Sequence, residues 1–321
     1  MSLRTRIIHA LAPGDFVSGE SLARDLGVSR AAVNHHIRAI TESGFEIHSV
    51  RGRGYRLASP ISPLDKSRIE SGLRKTGAHV PVIDIFDQVE STNSSLRRLL
   101  LDGARAPRVC LAEHQTRGRG RRGRVWLNRP YQSILFSYAY DLDAGVTAAS
   151  GLSLAVGIAV QRALVSYGLT TAQLKWPNDL QVTGKKLGGI LVEIAGEVGS
   201  SCTCVIGIGL NVRLDEEARA NVAQPVTDIE QELGRPVNRS LLVVKLITQL
   251  AAVLTRFSQH GFSPFVEEWQ ALHAHRGQAV SVRLGDETVH GIAAGVDGAG
   301  ALRLVDGSGN VHRVTTGEVQ A

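Results

Sequence analysis

Leu174-Lys-Trp-Pro-Asn-Asp-Leu180, followed after three residues by Gly184-Lys-Lys-Leu-Gly-Gly-Ile-Leu-Val-Glu193, is the stretch on which the fold turns. Pro177 has no backbone donor and breaks a strand, so Asn178 and Asp179 are expected to project from a loop into a site. Gly184-Lys185 suits a hairpin that brings Lys186 back toward the same place. The pair Gly188-Gly189 removes side chains where something flat can pack against backbone. Around this hairpin, strands and helices alternate without a regular period. Val82–Phe86, Arg108–Glu113 and Ser133–Tyr140 read as strands, and Thr147–Tyr167 and Ser240–His260 as long apolar helices. That order favours an α+β sheet domain over a doubly wound one.

Beyond Gly277 the pattern changes. Val280–Leu284, Thr288–Ala294, Ala301–Val305 and Val311–Val314 are short alternating segments separated by turns such as Asp297-Gly298 and Asp306-Gly307, which predicts a small β-barrel. At the other end, Ala58-Ser-Pro-Ile-Ser-Pro63 reads as a linker after a small helical unit. The predicted partition is therefore 1–60, a linker and connecting helix over 61–80, a central domain over 81–275, and a barrel over 276–321.

The first unit has a helix-turn-helix layout from Ser18 to Ile40. Leu22 and Leu26 lie one turn apart, Gly27 can take the left-handed conformation at the turn, and Val28 plugs the corner. Ser29 is a good N-cap. On the second helix Val33, Ile37 and Ile40 face inward, which leaves Arg30, Asn34, His35 and Arg38 outward, a face suited to base edges and phosphates. Phe45–Val50 and Tyr55–Leu57 frame Arg51-Gly-Arg-Gly54, a hairpin tip whose Arg51 and Arg53 can lie across a phosphate backbone. The alternative is a helical hairpin used for dimerisation or docking.

Composition limits the rest. In 321 residues, 43% are hydrophobic and 21% charged, a globular balance that leaves room for two or three domains. No signal-peptide pattern and no uninterrupted apolar run point to a membrane, so a cytoplasmic protein is expected. Cys110, Cys202 and Cys204 have neither disulfide-framework nor zinc spacing and read as structural. The net charge is +6, and it is concentrated. Residues 1–57 hold eight arginines against five carboxylates, and five more arginines fall between Arg117 and Arg124. The second cluster, Gly118-Arg-Gly-Arg-Arg-Gly-Arg124-Val-Trp126, follows the strand ending at Glu113-His-Gln115. Its glycines let backbone approach a ligand and its arginines supply bidentate donors for phosphate or carboxylate.

Glu90-Ser-Thr-Asn93, Gln115, Gly118–Arg124, Lys175–Leu180, Lys186–Glu193 and Gly207-Ile-Gly-Leu-Asn211 together resemble the biotin–protein ligase family, specifically its bifunctional ligase and biotin operon repressor class. The likeness covers essentially the whole chain. It implies a winged helix, a mixed-sheet α/β catalytic domain of the biotin/lipoate ligase type and an SH3-like C-terminal barrel. It implies the substrates biotin and ATP with Mg²⁺, and a biotin carboxyl carrier protein, such as an acetyl-CoA carboxylase subunit, as acceptor. It also implies operator DNA upstream of biotin genes as a partner, and a homodimer when the adenylate is bound.

By this resemblance Lys186, Arg121 and Asp179 are the catalytic candidates. Ser91, Thr92, Asn93, Gln115, Arg119, Gly120, Arg121, Lys186, Gly188 and Gly189 are candidates for biotin. Arg119, Arg121, Arg122, Arg124, Trp126, Lys175, Asn178 and Asn211 are candidates for ATP or the adenylate. Ser29, Arg30, Asn34, His35, Arg38, Arg51 and Arg53 are those for DNA. Several alternatives stay open. Ser91 or Thr92 can be a plain N-cap, Trp126 can be core packing, and Asn178 or Asp179 can orient Mg²⁺, substrate or the acceptor amine. A lipoate-type ligase, a pure repressor that binds biotin without ligase activity, and a ligase with a vestigial DNA-binding domain are the rival functions. Ala195–Gly199 and Ala220–Gly234 join the Arg-Gly run as surface loops that ligand could order. The second of these lacks a large aromatic to cap an adenine.

Overall fold

The computed structural model describes residues 2–142, 149–198, 201–285 and 287–320. The chain divides into two compact units, Met1–Leu64 and Asp65–Ala321.

The first unit has three helices, α1 (Leu3–Leu11), α2 (Gly19–Leu26) and α3 (Arg30–Glu42), then a hairpin of β1 (Ile47–Val50) and β2 (Gly54–Leu57). The capping chemistry fixes the boundaries. Ser18 and Ser29 each accept a backbone N–H three residues on, and Gly27 ends α2 at φ 69°. Val33, Ile37 and Ile40 are buried, with Ile7, Leu11 and Leu22. The wing is tied down where Val17 and Tyr55 exchange backbone hydrogen bonds of 2.8 and 2.9 Å.

In the second unit the elements run α4 (Lys66–Thr76), β3 (Val82–Phe86), α5 (Thr92–Leu101), β4 (Arg108–Ala112), β5 (Ser133–Leu142), α6 (Leu152–Tyr167), β6 (Gln173–Lys175), β7 (Asp179–Val182), β8 (Lys185–Val198), β9 (Ser201–Asn211), α7 (Glu216–Ala220), α8 (Ile229–Leu233), α9 (Arg239–His260) and α10 (Val266–Leu272). Seven strands form one sheet in the order β3-β4-β5-β9-β8-β7-β6, with β3 and β4 parallel and the other pairs antiparallel. The α+β sheet domain expected from the irregular element order is present, and its sheet is mixed, as the resemblance implies. The helix expected over Thr147–Tyr167 begins at Leu152; Thr147 and Ala148 lie outside the described residues.

Side-chain alternation sorts the two faces. Helix α6 packs over one of them, where Gly157 lies against Leu174 and Ile190. On the other face Leu96 of α5 packs with Cys110, Ala139 and Val205 in a cluster sealed from solvent. Helix α9 is long and apolar enough, on length and composition alone, to cross a membrane. Its apolar side is, however, buried against α4, α6 and β5, as in a core helix. Its first residue, Arg239, is 1% exposed; it donates to a Glu113 carboxylate oxygen at 2.5 Å and to Ser133 O at 2.6 Å. Buried charge of this kind is tolerated only when paired, and removing one partner typically costs about 3–5 kcal/mol.

Five further strands, β10 (Ala279–Leu284), β11 (Glu287–Val296), β12 (Leu302–Val305), β13 (Val311–Val314) and β14 (Glu318–Gln320), make an antiparallel sheet in the order β13-β12-β11-β10-β14. Four of them match the short alternating segments of the sequence. The last, β14, completes the C-terminal β domain and was not foreseen.

Candidate active site

A cleft of about 990 Å³ opens on the α5 face of the seven-stranded sheet. Three parts build it: the β7–β8 hairpin, the glycine-bearing middle of β9, and the loop 117–127.

The hairpin turns through Thr183 and Gly184, both at positive φ (47° and 78°), the geometry of a two-residue type I′ connection. Asp179 is the first residue of β7 and pairs with Lys175 and Gly189. It does not project from a loop: the break caused by Pro177 is only a tight turn over Trp176–Asn178. The register then shifts, because Leu180 faces Gly188 whereas Gln181 faces Lys186, leaving Leu187 as a bulge. By plain alternation Lys186 and Gly189 fall on opposite faces. The bulge places Lys186, Asp179 and Gly189 on the same one. There the Lys186 ammonium donates to the Asp179 carboxylate at 2.8 Å, each side chain one-fifth exposed. Gly188 is turned the other way, where an added Cβ would stand 2.5 Å from Leu210. The glycine pair therefore divides: Gly189 lines the cleft and Gly188 does not.

The backbone of Lys186 is clamped from a distant segment. Its N–H donates to Pro225 O and its carbonyl accepts from Thr227 N, both at 2.9 Å. Asn211 donates to Thr227 O at 3.1 Å and to Lys186 O at 3.5 Å, so its amide reinforces that clamp.

The Arg-Gly loop is not a flexible run but a small ladder of its own. Trp126 N donates to Gly118 O, Gly120 N to Arg124 O, and Arg124 N to Arg121 O. Gly118 is required, since a Cβ there would lie 2.6 Å from Trp126 O. The indole of Trp126 lies over the paired glycines Gly189 and Gly209; at Gly209 a Cβ would be 2.7 Å from ring carbons. From the ladder the arginines reach separate partners. Arg119 donates to Ser94 Oγ at 2.9 Å, Arg121 donates to Asn178 Oδ1 at 3.3 Å, and Arg124 forms a two-point ion pair with Glu318 of β14. Burial, then repulsion from Arg122, pulls the Arg121 pKa down, while Asp179 and Glu318 push it back. Arg122 itself is exposed, held at φ 55°. Arg121 and Lys186 thus converge through the neighbours Asn178 and Asp179.

The inner wall comes from the start of α5. Ser91 is 4% exposed, yet its side chain makes no capping hydrogen bond, so the plain N-cap alternative fails for it. Thr92 donates through both N and Oγ1 to Gln115 Oε1, at 2.7 and 2.9 Å. Gln115 is held in turn by Asn128, which exchanges hydrogen bonds with its backbone N and O, both 2.9 Å. Gly120 and Lys175 also line the cleft. Asn128, Ser137, Pro225 and Glu318 were missed by sequence reading. Only Ser137, a hydroxyl inside an apolar strand, leaves a visible signal there.

Among the described residues no group of three or more His, Cys, Asp or Glu is arranged to hold a metal. The carboxylates lining the cleft are Asp179 and Glu318, both already paired to cations. Such a set fits Mg²⁺ only as an ion that arrives on nucleotide phosphates, its usual mode.

In the first unit Ser29, Arg30, Asn34, His35, Arg38, Arg51 and Arg53 are all exposed. The guanidinium of Arg53 stacks 4.2 Å above the Phe16 ring. Ser29 spends its hydroxyl on the α3 cap, where it accepts from Ala32 N at 3.1 Å.

Three family models match the chain: HTH domain over residues 4–56, Biotin/lipoate A/B protein ligase family over 85–211, and Biotin protein ligase C terminal domain over 275–320. Bifunctional ligase/repressor BirA of Salmonella typhimurium is 39% identical over 93% of this chain and 91% of its own length. The protein of the same name from Escherichia coli is 37% identical over 93% and 91%. A solved biotin protein ligase from Aquifex aeolicus, in complex with biotin and ATP, superposes with a TM-score of 0.63 at 24% identity, covering 75% of this chain and 98% of that one.

Proposed function

The chain belongs to the biotin protein ligase family, and from that premise we propose how its cleft makes and holds biotinyl-5′-adenylate. It is a biotin protein ligase that carries a helix-turn-helix domain, with biotin and ATP as substrates. The single observation that carries the residue assignment is the meeting of Arg121 and Lys186 at Asn178-Asp179 within one cleft.

Adenylation brings two anions together. A biotin carboxylate oxygen attacks the α-phosphorus of ATP and pyrophosphate leaves, so fixed positive charge is needed where the two meet. We assign that charge to Lys186 and Arg121. Asp179 holds the Lys186 ammonium at 2.8 Å, which keeps it extended toward the cleft. The hydroxyl of Ser91, unspent on its helix, and the side chain of Gln115 are assigned to the ureido group of biotin. Trp126 is the flat wall over Gly189 and Gly209. Asn93 and Asn211 spend their amides on the protein, so their part is to hold the site's shape. Mg²⁺ supplies charge neutralisation on the nucleotide. In the second step an acceptor lysine amine attacks the acyl carbon and AMP departs, a reaction that asks chiefly for positioning.

We assign residues 1–60 to DNA reading, 81–275 to catalysis and 276–321 to the C-terminal β domain, and place the protein in the cytoplasm. The acceptor is a biotin carboxyl carrier protein. The exposed arginines and Asn34 of the first unit support binding to operator DNA upstream of biotin genes. A homodimer favoured by the adenylate would present two such units, which is linkage between ligand, dimer and DNA. Incubation with biotin, ATP-Mg and a carrier domain tests the ligase reading: an unmodified carrier lysine would sink it. Sedimentation with and without biotin and ATP tests the dimer, and an unchanged monomer would end that part.

A further inference from the structure

Glu193 lies on β8, beyond the ligand-facing residues, yet its two carboxylate oxygens do different work. One accepts from Asn93 Nδ2 at 2.7 Å. The other accepts from Arg119 Nη2 at 3.4 Å, with Arg97 at 3.9 Å on the same oxygen. Asn93 is 3% exposed, and its second amide hydrogen goes to Leu191 O at 3.3 Å while its Oδ1 accepts from Ser137 at 2.6 Å. Both donors and the acceptor are thereby engaged with protein. β9 makes room for this amide at Gly207, where a Cβ would stand 2.5 Å from Asn93 Oδ1. Through Ser137 and Thr92 the same network reaches Gln115 on the inner wall.

We infer that Glu193 is a positioning residue that ties the Arg-Gly loop, through Arg119, to the biotin wall, so that the loop stays closed over the adenylate. This rests on the ligase reading and adds to it a specific brace between the two sides of the cleft. A buried amide bracket at one end and a half-exposed arginine at the other is the arrangement of a strut: rigid where it is anchored, exchangeable where it meets the loop. The Arg119 side chain is 45% exposed, so the ion pair is screened and its effect is modest.

The test uses the full-length protein loaded with biotin and ATP-Mg, and follows escape of the adenylate into a trap. Glu193→Gln keeps an oxygen to accept from Asn93 but loses the charge that holds Arg119. Escape is expected to quicken about threefold to fivefold with the KM for biotin altered less than about twofold, a split that general loosening of the pocket would not give. Arg119→Gln approaches the same contact from the exposed side and leaves β8 and Asn93 intact. It should quicken escape at least as much, even if the Glu193 variant proves unstable. The double variant should leak no faster than Arg119→Gln alone. Escape at the wild-type rate in both single variants, or additive effects in the double, overturns the inference. A wild-type protein that forms no adenylate sinks the ligase reading instead.

Discussion

Two arginine-rich regions of this molecule use one side chain in opposite ways. In the first unit Arg30, Arg38 and Arg51 stand exposed and make no ion pair among the described residues. In the loop 117–124, Arg117 meets Glu90, Arg119 meets Glu193, Arg121 meets Asn178, and Arg124 meets Glu318. An unpaired surface arginine is free to neutralise a phosphate and release the counterion condensed on the polyanion, so its contribution falls with salt. A paired one has already settled its orientation and can meet a small ligand with little reorganisation. On the proposed reading, the difference separates a surface for a long phosphate chain from one for a single nucleotide.

Breaking the paired region at its centre should have the largest effect. Lys186→Ala removes the cation facing Asp179 and is expected to lower adenylate synthesis by about 10²- to 10³-fold, read as pyrophosphate release, with affinity for DNA unchanged when measured without biotin and ATP. Near-normal release would remove Lys186 from the chemistry.

Acid is the next lever, and it too should separate the units. None of the four histidines in the first unit is buried. In the second, His273 is 5% exposed, stacks on Trp269 with centroids 4.6 Å apart, and neither ring nitrogen finds a partner among the described residues. Burial, then the nearby His275 and Arg276, pushes its pKa from 6.5 down to about 4. The unfolded chain therefore takes up this proton first. Stability is full above pH 6.5 and falls between there and pH 4, by about 3 kcal/mol from this group. Urea unfolding of the second unit at pH 7, 5.5 and 4.5 should show that slope. His273→Phe should flatten it, and an equally steep slope in the variant would assign the loss elsewhere.

On the exposed side, Arg30→Ala combined with Arg38→Ala should weaken DNA binding about tenfold and lower the salt slope by about one per lost phosphate contact. Adenylation should be untouched. Unchanged salt dependence would show that these arginines do not face the backbone. The smallest effect is expected at the loop's far end. Glu318→Gln gives up a half-exposed pair with Arg124 and should quicken adenylate escape by about threefold or less. A much larger change would mean that β14 does more than steady the loop.

The first unit was legible in sequence because its determinants are local. Ser29, Gly27 and the Val33–Ile37–Ile40 spacing act within a few residues of one another, and each appears where expected. The cleft was legible as a set of residue types, not as a geometry. Pro177 correctly marked a break but not its size, so Asp179 was expected on a loop and opens a strand. Nothing in Lys-Lys-Leu-Gly-Gly reveals which glycine faces the site, since the answer depends on how β8 pairs with β7. Ala195–Val198 continues β8 where a loop was expected, and Gly199 lies outside the described residues. Glu318 is 194 residues from Arg124, and Pro225 is 39 from Lys186; contacts at that separation leave no periodic trace.

The bulge at Leu187 also limits how this protein can vary over evolutionary time. Hairpins ordinarily absorb insertions and deletions, because a residue gained or lost near a turn shifts only what is exposed. Here the position of the change decides the outcome. Losing Leu187 would restore regular pairing and leave the Lys186 ammonium on the cleft side, whereas losing Lys185 would restore pairing and turn that ammonium to the opposite face of the sheet. A homologue shortened on the turn side of the lysine would need to draw its cation from another strand.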